Sequence, residues 1–329
     1  MNQTKNDESK VVIFSVYYNR SYCVSNSVES LLNQTHNNLK IVLVDDGSTD
    51  DTLHQLKKYE DLDKVIIESG TNQGFTRAIS NAIKKHADGN YIAIHGSGDN
   101  SLPNRIKSQA QLLDQNEHLA CVGCWVDNIF PNNETRPHNR RTAETDAAEI
   151  YHQNQFTHGE VMMRSSCYEE AGGYRTFFKY TQDYDLWLRL LEKKKAAFVP
   201  EVLYQRFVRE DGVESNTIRW QAQQELKELA RRCYIMRSVV GTDAIKMFGE
   251  DGALLLNGNP DTARRLRNFA AGKNAQDPET TLALSTIAAI NEFGCRKKLV
   301  KHALSSSLFS KTIRIVQPLR RRILNLLNT

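Results

Sequence analysis

Short apolar runs rich in β-branched residues alternate with longer helical stretches from Val11 to about Val126. The short runs are VVIFSVYY, KIVLVDD, KVIIES, YIAIHG and LACVGCWV, and the longer ones include FTRAISNAIKKH and RIKSQAQLLDQ. This order is typical of a parallel sheet whose crossover helices cover its faces. It therefore predicts an α/β fold with a doubly wound, mostly parallel sheet flanked by helices.

The pattern changes twice further along the chain. Residues 128–145 carry proline, asparagine and alternating charge with no period, which predicts a long surface loop. Beyond about Ser215 the sequence becomes helical throughout, with TIRWQAQQELKELARRCYIMRSVV as the clearest segment. A chain of 329 residues has room for two such parts. We predict an α/β domain over residues 1–215 and a helical C-terminal extension over residues 216–329.

Composition argues against several classes of protein. The six cysteines are scattered and do not form the dense framework of a small secreted scaffold. Cys121 and Cys124 make one CxxC pair, but their apolar surroundings predict a core strand and not a zinc site. No apolar run approaches the ~18 residues of a membrane span, and MNQTKNDESK lacks the apolar segment of a signal peptide. We expect a cytoplasmic protein.

Polar residues follow three of the predicted strands. They are Tyr18-Asn19-Arg20, Asp45-Asp46-Gly47-Ser48 and Gly96-Ser97-Gly98-Asp99. Because ligands of doubly wound sheets bind beyond the carboxyl ends of the strands, these residues predict a binding site. Asp45 and Asp46 suit hydrogen bonds to a nucleobase or a ribose. The alternative is that Asp45 only ends its strand and Asp50 caps the next helix.

The stretch from Gly96 to Asp99 admits three interpretations: a phosphate-binding glycine loop, a plain turn, and an acidic metal site that lacks some of its acids. A phosphate loop needs glycines that open directly into a helix, with several backbone N–H groups directed at the anion. Pro103 marks the helix start four residues after Asp99, which argues against the phosphate loop. The turn and the reduced metal site remain open.

A series of ordered motifs resembles those of the inverting glycosyltransferases of family 2, which have the GT-A fold. Between residue 10 and about residue 210 they are the strand ending in YNR, LLNQT, IVLVDDGSTD, NQGFTRAISNAIKKHADGNYIAI, SLPNRIKSQ, GEVMMRSSCYEEAGGYRTFF and TQDYDLWLRLLEKKKAAFVPEVLYQRF. The resemblance implies transfer of a sugar from a nucleotide-sugar donor, a UDP-sugar by default. It implies a surface glycan or its lipid-linked precursor as the acceptor.

The same resemblance implies roles for individual residues. An inverting transfer is a single displacement, so one base must take the proton of the acceptor hydroxyl. Gln182-Asp183 stand where the family has Glu-Asp, which makes Asp183 the implied base, although Asp183 can also cap the following helix. The residues implied in donor binding are Tyr18, Asp45, Asp46, Arg77, Asp99 and Arg206. The resemblance puts His158 and Arg164 near the acceptor.

Two departures from the family affect its metal site. Where the family usually has an Asp-x-Asp-Asp-like run, only Asp99 remains, and Val208 stands where the family often has histidine. The resemblance implies a divalent cation, manganese or magnesium, that bridges the donor diphosphate and is bound by Asp99. Such hard cations take one or two carboxylates, waters and substrate phosphates as ligands. The missing acids predict weaker metal binding.

Two other functions are compatible with an α/β domain of this layout. The first is a non-catalytic GT-A subunit that binds a nucleotide sugar or a partner in polysaccharide assembly, and the retained Asp183 argues against it. The second is a sugar-phosphate nucleotidyltransferase, which needs a glycine- and arginine-rich phosphate loop with a lysine. The segment FSVYYNRSY contains neither glycine nor lysine. The sequence therefore favours an inverting glycosyltransferase.

The C-terminal end of the chain is strongly basic. After Glu292 there are nine Lys and Arg residues and no Asp or Glu, while apolar residues recur at mostly three- and four-residue steps from Leu308 to Leu327. The pattern predicts an amphipathic helix that Pro318 kinks or divides. It either packs on the protein or lies on an anionic membrane surface, at the inner face of the cell membrane. We predict no nucleic-acid partner.

Overall fold

The computed structural model describes residues 8–209, 217–256, 258–271 and 278–293. The chain divides into two compact units, Met1–Trp220 and Gln221–Thr329. The predicted boundary between residues 215 and 216 lies outside the described residues, as does the predicted amphipathic tail.

One mixed sheet forms the frame of the first unit. Its strands are β1 (Val11–Tyr17), β2 (Leu39–Asp45), β3 (Val65–Ser69), β4 (Tyr91–Ile94), β5 (Asn100–Ser101), β6 (Leu119–Ile129), β7 (Thr135–Asn139), β8 (Met162–Arg164) and β9 (Lys195–Phe207). Within the described residues the order is β3-β2-β1-β4-β8-β6-β9-β5, and β7 pairs with β6. The pairs among β1, β2, β3 and β4 are parallel, as is β6 with β9. The pairs that β8 makes with β4 and β6 are antiparallel.

Helices flank this sheet. They are α1 (Val24–Leu32), α2 (Thr52–Lys57), α3 (Phe75–His86), α4 (Arg105–Gln115), α5 (Ala147–His152), α6 (Ser165–Glu170) and α7 (Gln182–Leu190). Every residue of β1 is buried, because this strand lies between β2 and β4 and is covered on both faces. The predicted fold class is confirmed: the sheet is mostly parallel and flanked by helices, and a helical C-terminal region follows.

The segment from 128 to 145 was wrongly predicted as one long loop. Strand β6 continues to Ile129, and β7 returns antiparallel to it, with Thr135 opposite Ile129 and Pro137 opposite Asp127. Proline is accepted in an edge strand because it need not donate a hydrogen bond to a neighbour on its outer side. The lack of a hydrophobic period in this segment therefore reflects its position at an edge.

The CxxC pair lies in β6, as predicted. Cys121 and Cys124 are free, and both side chains are buried. Burial raises the pKa of Cys124 to about 12, because the thiolate would have to leave water. These thiols are core residues.

The second unit is described as helices. They are α8 (Thr217–Val240), which begins shortly before the division, α9 (Ala244–Phe248), α10 (Gly252–Leu255), α11 (Pro260–Ala271) and α12 (Pro278–Phe293). Asp243 caps α9 by accepting the N–H of Lys246 and pairs with Arg237 over 2.7 Å. Among the described residues, no helix combines the length and hydropathy needed to cross a membrane.

Candidate active site

The carboxyl ends of the parallel strands meet at one edge of the sheet. The register aligns Tyr17 of β1 with Asp45 of β2, and Asp45 with Ser69 of β3. The segments that follow β1 and β2 are joined by a hydrogen bond of 3.0 Å from the N–H of Asn19 to Ser48 Oγ. The polar residues predicted after these two strands are therefore neighbours.

Asp45 and Asp46 are both buried, but their carboxylates have different partners. Asp46 accepts the N–H groups of Gln73 and Gly74, each over 2.9 Å, and so fixes the segment that leads into α3. Asp45 Oδ2 accepts the N–H of Ser48 over 3.3 Å, whereas its Oδ1 has no hydrogen-bond partner among the described residues. Asp45 also lines a cavity of about 100 Å³. A buried carboxylate oxygen without a donor is costly, so this position suits a ligand N–H or O–H group.

Tyr18 and Arg77 lie at the same edge with their side chains exposed. Tyr18 follows β1 directly and keeps 47% of its surface accessible. Arg77 lies in the first turn of α3 and is also exposed. Their predicted contacts with the nucleobase and the diphosphate stay predictions.

Asp99 follows β4 and ties its turn to the end of β9. Its Oδ2 accepts the hydroxyl of Tyr204 over 2.8 Å, and its Oδ1 accepts the N–H of Phe207 over 3.0 Å. Burial raises the pKa of Asp99 to about 6, although these hydrogen bonds and the charges of Arg209 and Arg206 act to lower it. A fraction of this carboxyl group is therefore protonated near neutral pH.

These surroundings do not fit the divalent cation that the resemblance implies. In the part of the chain that the structure describes, no three His, Cys, Asp or Glu side chains are grouped so as to hold a metal ion. Both oxygens of Asp99 already accept hydrogen bonds, and Arg209 adds positive charge nearby. Waters and substrate phosphates can supply most ligands of a hard cation, but it still needs a free carboxylate oxygen and is repelled by a neighbouring cation. Metal binding by Asp99 therefore stays a prediction, and the chemistry proposed here does not pass through a metal.

Two carboxylates lie in the first turn of α7, and their partners differ. Asp185 is fully buried, and its Oδ2 lies 3.0 Å from Nε and 2.7 Å from Nη2 of Arg189. Asp183 is only half-buried. The ion pair gives Asp185 a structural role, whereas Asp183 remains accessible to a ligand.

His158 contacts Tyr174 and Phe75 and is influenced by the charge of Asp183. Its Nε2 lies 2.7 Å from the hydroxyl oxygen of Tyr174, and its ring meets the edge of Phe75 at the start of α3, with the centroids 5.5 Å apart. Burial lowers the pKa of His158, while the negative charge of Asp183 acts in the opposite direction. Burial thus favours the neutral form of His158, while Asp183 favours the charged form.

The residue after His158 packs against the turn that carries Asp99. A Cβ atom at Gly159 would overlap the hydroxyl oxygen of Tyr204 and would lie 3.1 Å from the backbone nitrogen of Gly96. The Tyr204 hydroxyl is the group that donates to Asp99. The segment of His158 and Gly159 therefore adjoins the predicted diphosphate site.

Arg164 has a structural role. Its guanidinium donates to the carbonyl oxygens of Leu113, Asn116 and Leu119 over 2.6, 3.0 and 2.8 Å, at the end of α4 and the start of β6. These bonds satisfy carbonyl groups that a helix leaves open at its C-terminus. The guanidinium of Arg164 therefore stabilises the end of α4 and the start of β6.

Sequence reasoning missed Tyr204 and Arg209. Tyr204 is buried, donates to Asp99 and accepts the N–H of Gly96 over 2.9 Å. Arg209 is half-buried and donates to the carbonyl oxygens of Ser97 and Gly98. Arg206, which the sequence did select, is half-buried in β9. The signal for them in the sequence was the basic and aromatic composition of LYQRFVR at the end of the last strand.

The sequence profile of glycosyl transferase family 2 matches residues 12–179, about half of the chain. The chain belongs to this family. A relative named as a glycosyltransferase, EpsE of Bacillus subtilis (strain 168), is 32% identical over 213 residues, which cover 63% of this chain and 75% of EpsE. Glycosyl transfer is thus the activity of the family to which this chain belongs.

Two solved structures have the same fold. Residues 1–349 of S. aureus TarS in complex with UDP give a TM-score of 0.55 at 16% identity, covering 94% of this chain and 92% of that chain. The mannosyltransferase PcManGT of Pyrobaculum calidifontis, in complex with GDP-Man and Mn2+, gives a TM-score of 0.52 at 17% identity, covering 93% of this chain and 89% of that chain. At such identities the likeness supports the fold alone, and it confirms the predicted GT-A fold.

Proposed function

We propose that this protein is an inverting glycosyltransferase that moves a sugar from a nucleotide-sugar donor to an acceptor hydroxyl. The observation that carries the proposal is the half-buried carboxylate of Asp183 in the first turn of α7. Its charge acts on His158, and the next residue, Gly159, packs against the turn of Asp99. The segment of His158 and Gly159 thus connects an accessible carboxylate with the turn proposed to bind the donor.

The donor is proposed to bind along the carboxyl ends of β1, β2 and β4. Asp45 Oδ1 lacks a hydrogen donor and suits an N–H group of a nucleobase, and the exposed ring of Tyr18 suits stacking on the base. The exposed side chain of Arg77 and the half-buried one of Arg206 are directed to the diphosphate in this proposal. Among the solved neighbours, TarS binds UDP and PcManGT binds GDP-Man, and a UDP-sugar is our first choice.

Asp183 is proposed to act as the general base in a single displacement. The acceptor oxygen forms a bond to the anomeric carbon as the bond from that carbon to the diphosphate oxygen breaks. The electron pair leaves with the nucleoside diphosphate, and the acceptor proton moves to Asp183. Since attack and departure occur on opposite faces of the sugar, the anomeric configuration is inverted.

The acceptor is proposed to be a hydroxyl of a surface glycan or of its lipid-linked precursor. The basic composition after Glu292 supports an acceptor at an anionic membrane, because each basic side chain near such a surface contributes about 1 kcal/mol. In this proposal the protein is cytoplasmic and peripheral on the inner face of the membrane.

A second candidate is a non-catalytic GT-A subunit that binds a nucleotide sugar. It is favoured by one observation, the absence of acids at positions 96 and 98. The two candidates differ in one measurable property, which is turnover. A bound but unreacted donor would support the second candidate.

The function can be tested with a panel of UDP- and GDP-sugars. Binding is measured from the shift in thermal unfolding, and slow hydrolysis of the donor, with water as acceptor, is followed by proton NMR. An inverting enzyme releases a sugar whose first-formed anomer is opposite to that of the donor. A product with the donor's configuration would contradict inversion, and binding without hydrolysis or transfer would contradict catalysis.

A further inference from the structure

Position 98 is glycine, and the space beside it is filled by Arg209. The φ angle of Gly98 is +84°, and a Cβ atom there would overlap Nη2 of Arg209 and lie 2.5 Å from Sγ of Cys23. The guanidinium therefore stands where a side chain at position 98 would begin. An acid at this position, such as the resemblance leads one to expect, would displace it.

Arg209 is bound to the backbone of the same turn. Its Nη1 donates to the carbonyl oxygen of Ser97 over 3.1 Å, and its Nη2 donates to that of Gly98 over 2.8 Å. These bonds use two of the five N–H groups of a guanidinium. Together with Gly98 and Asp99, Arg209 lines a cavity of about 890 Å³. The charged group is thus both fixed in place and adjacent to open space.

Position 96 is also glycine, and another side chain likewise fills the space beside it. A Cβ atom at Gly96 would overlap Oδ2 of Asp99, so the carboxylate of Asp99 takes the space that a side chain at 96 would need. That carboxylate is directed to Tyr204 and Phe207, which occupy both of its oxygens. The turn therefore has the guanidinium of Arg209 beside it, in place of acids at 96 and 98 that could bind a metal together with Asp99.

We propose that Arg209 binds the diphosphate of the donor and neutralises the leaving group, in place of a divalent cation. A guanidinium matches the geometry of phosphate oxygens and carries its charge at all physiological pH values. Charge that develops on the departing diphosphate is then stabilised by a group already in position, so no reorganisation is needed at the moment of reaction. This inference rests on the proposed function and removes its need for a metal.

Nucleotide binding in a chelator tests the proposal without any turnover. UDP, GDP, CDP and ADP are titrated calorimetrically into the natural chain in excess EDTA and again in excess MnCl2. We expect the preferred diphosphate to bind in EDTA, with a Kd within threefold of that in MnCl2. Binding at least tenfold tighter in MnCl2 would overturn the metal-independent role and leave the proposed function intact. Absence of binding in both conditions would contradict both.

The Arg209→Ala variant separates phosphate binding from a structural role. The diphosphate Kd should rise about 10- to 100-fold, while the Kd of the matching nucleoside should change less than twofold. Arg209→Lys retains the charge but loses the two-pronged geometry of the guanidinium. Its diphosphate Kd should lie between those of the natural chain and Arg209→Ala, and it replaces the alanine variant if that variant does not fold. Equal weakening of the diphosphate and the nucleoside would mean that Arg209 only supports the turn, and would overturn the proposal.

Replacing the positive charge of Arg209 by a carboxylate at position 98 provides the reciprocal test. Gly98→Asp combined with Arg209→Ala removes the guanidinium and supplies an acid beside Asp99. Diphosphate binding by this double variant should become at least tenfold tighter when MnCl2 replaces EDTA. Its matched control carries Gly98→Asn with Arg209→Ala, which has the same shape without the carboxylate and should show no such gain. A folded double variant that behaves like its control would contradict the exchange.

Discussion

Asparagine at position 183 is the most direct test of the proposed base. Asp183→Asn keeps the size of the side chain and its place in the first turn of α7, but the amide cannot take the proton of an attacking hydroxyl. Loss of a positioned base lowers the rate by about 10²–10⁴, or about 3–5 kcal/mol in the activation barrier. Because the side chain is half-buried near a helix N-terminus, the unfolding free energy should fall by no more than about 1 kcal/mol.

Asp185 offers a matched control in the same helical turn. It is fully buried and paired with Arg189, with a further guanidinium nitrogen, Arg175 Nη1, 3.7 Å from its Oδ1. Removing one partner of such an ion pair costs about 3–5 kcal/mol. At 2–4 °C per kcal/mol for a domain of this size, Asp185→Asn should lower Tm by about 10 °C.

Both variants are compared in donor hydrolysis, donor binding and thermal unfolding. Asp183→Asn should lose at least 100-fold in kcat, with the donor Kd within twofold of the natural value and Tm within about 3 °C. Asp185→Asn should show the opposite pattern, with the main loss in Tm. If Asp183→Asn turns over within tenfold of the natural rate, Asp183 is not the base and the mechanism proposed above is refuted.

Three further results are expected. Asp45→Asn should weaken binding of the preferred nucleoside diphosphate, measured by calorimetry, about 10- to 100-fold, because that is the contribution of a hydrogen bond to a charged group. Asp46→Asn should mainly lower Tm, because the oxygens of Asp46 accept backbone N–H groups. Because the folded pKa of His158 is depressed, its contribution to stability is present above about pH 6.5 and is lost as the pH falls through the folded pKa. His158→Asn should therefore lose less stability than the natural chain between pH 8 and pH 5 in urea unfolding, and equal losses would contradict this. Replacing Arg320, Arg321 and Arg322 by glutamine should reduce sedimentation with vesicles containing anionic lipid, and unchanged sedimentation would exclude these charges as an anchor.

The parallel half of the sheet could be predicted because its strands are buried on both faces. Residues 11–17 are apolar except for Ser15, residues 41–44 are apolar throughout, and polar residues follow both runs, so composition alone marks the strands and their ligand edge. Strand β7 could not be predicted, since its sequence TRPHN owes its conformation to pairing with β6. Local composition carries no information about a partner strand.

The chemistry of the site was predictable only in part. The adjacent acids at the end of β2 were visible in the sequence, but their division into an open Asp45 and a structural Asp46 depends on the backbone of Gln73 and Gly74. The approach of Arg209 to Gly98 joins positions 111 residues apart. No spacing rule within a single motif reveals a contact of that kind.

Glycine at position 98 also sets a condition on the place of Arg209. A Cβ atom at 98 would overlap the guanidinium, so Arg209 can occupy its present position only beside a glycine. Restoring an acid at 98 alone would therefore disturb the guanidinium before it rebuilt a metal site. A substitution at either position changes the space available to the other, and the two are best varied together.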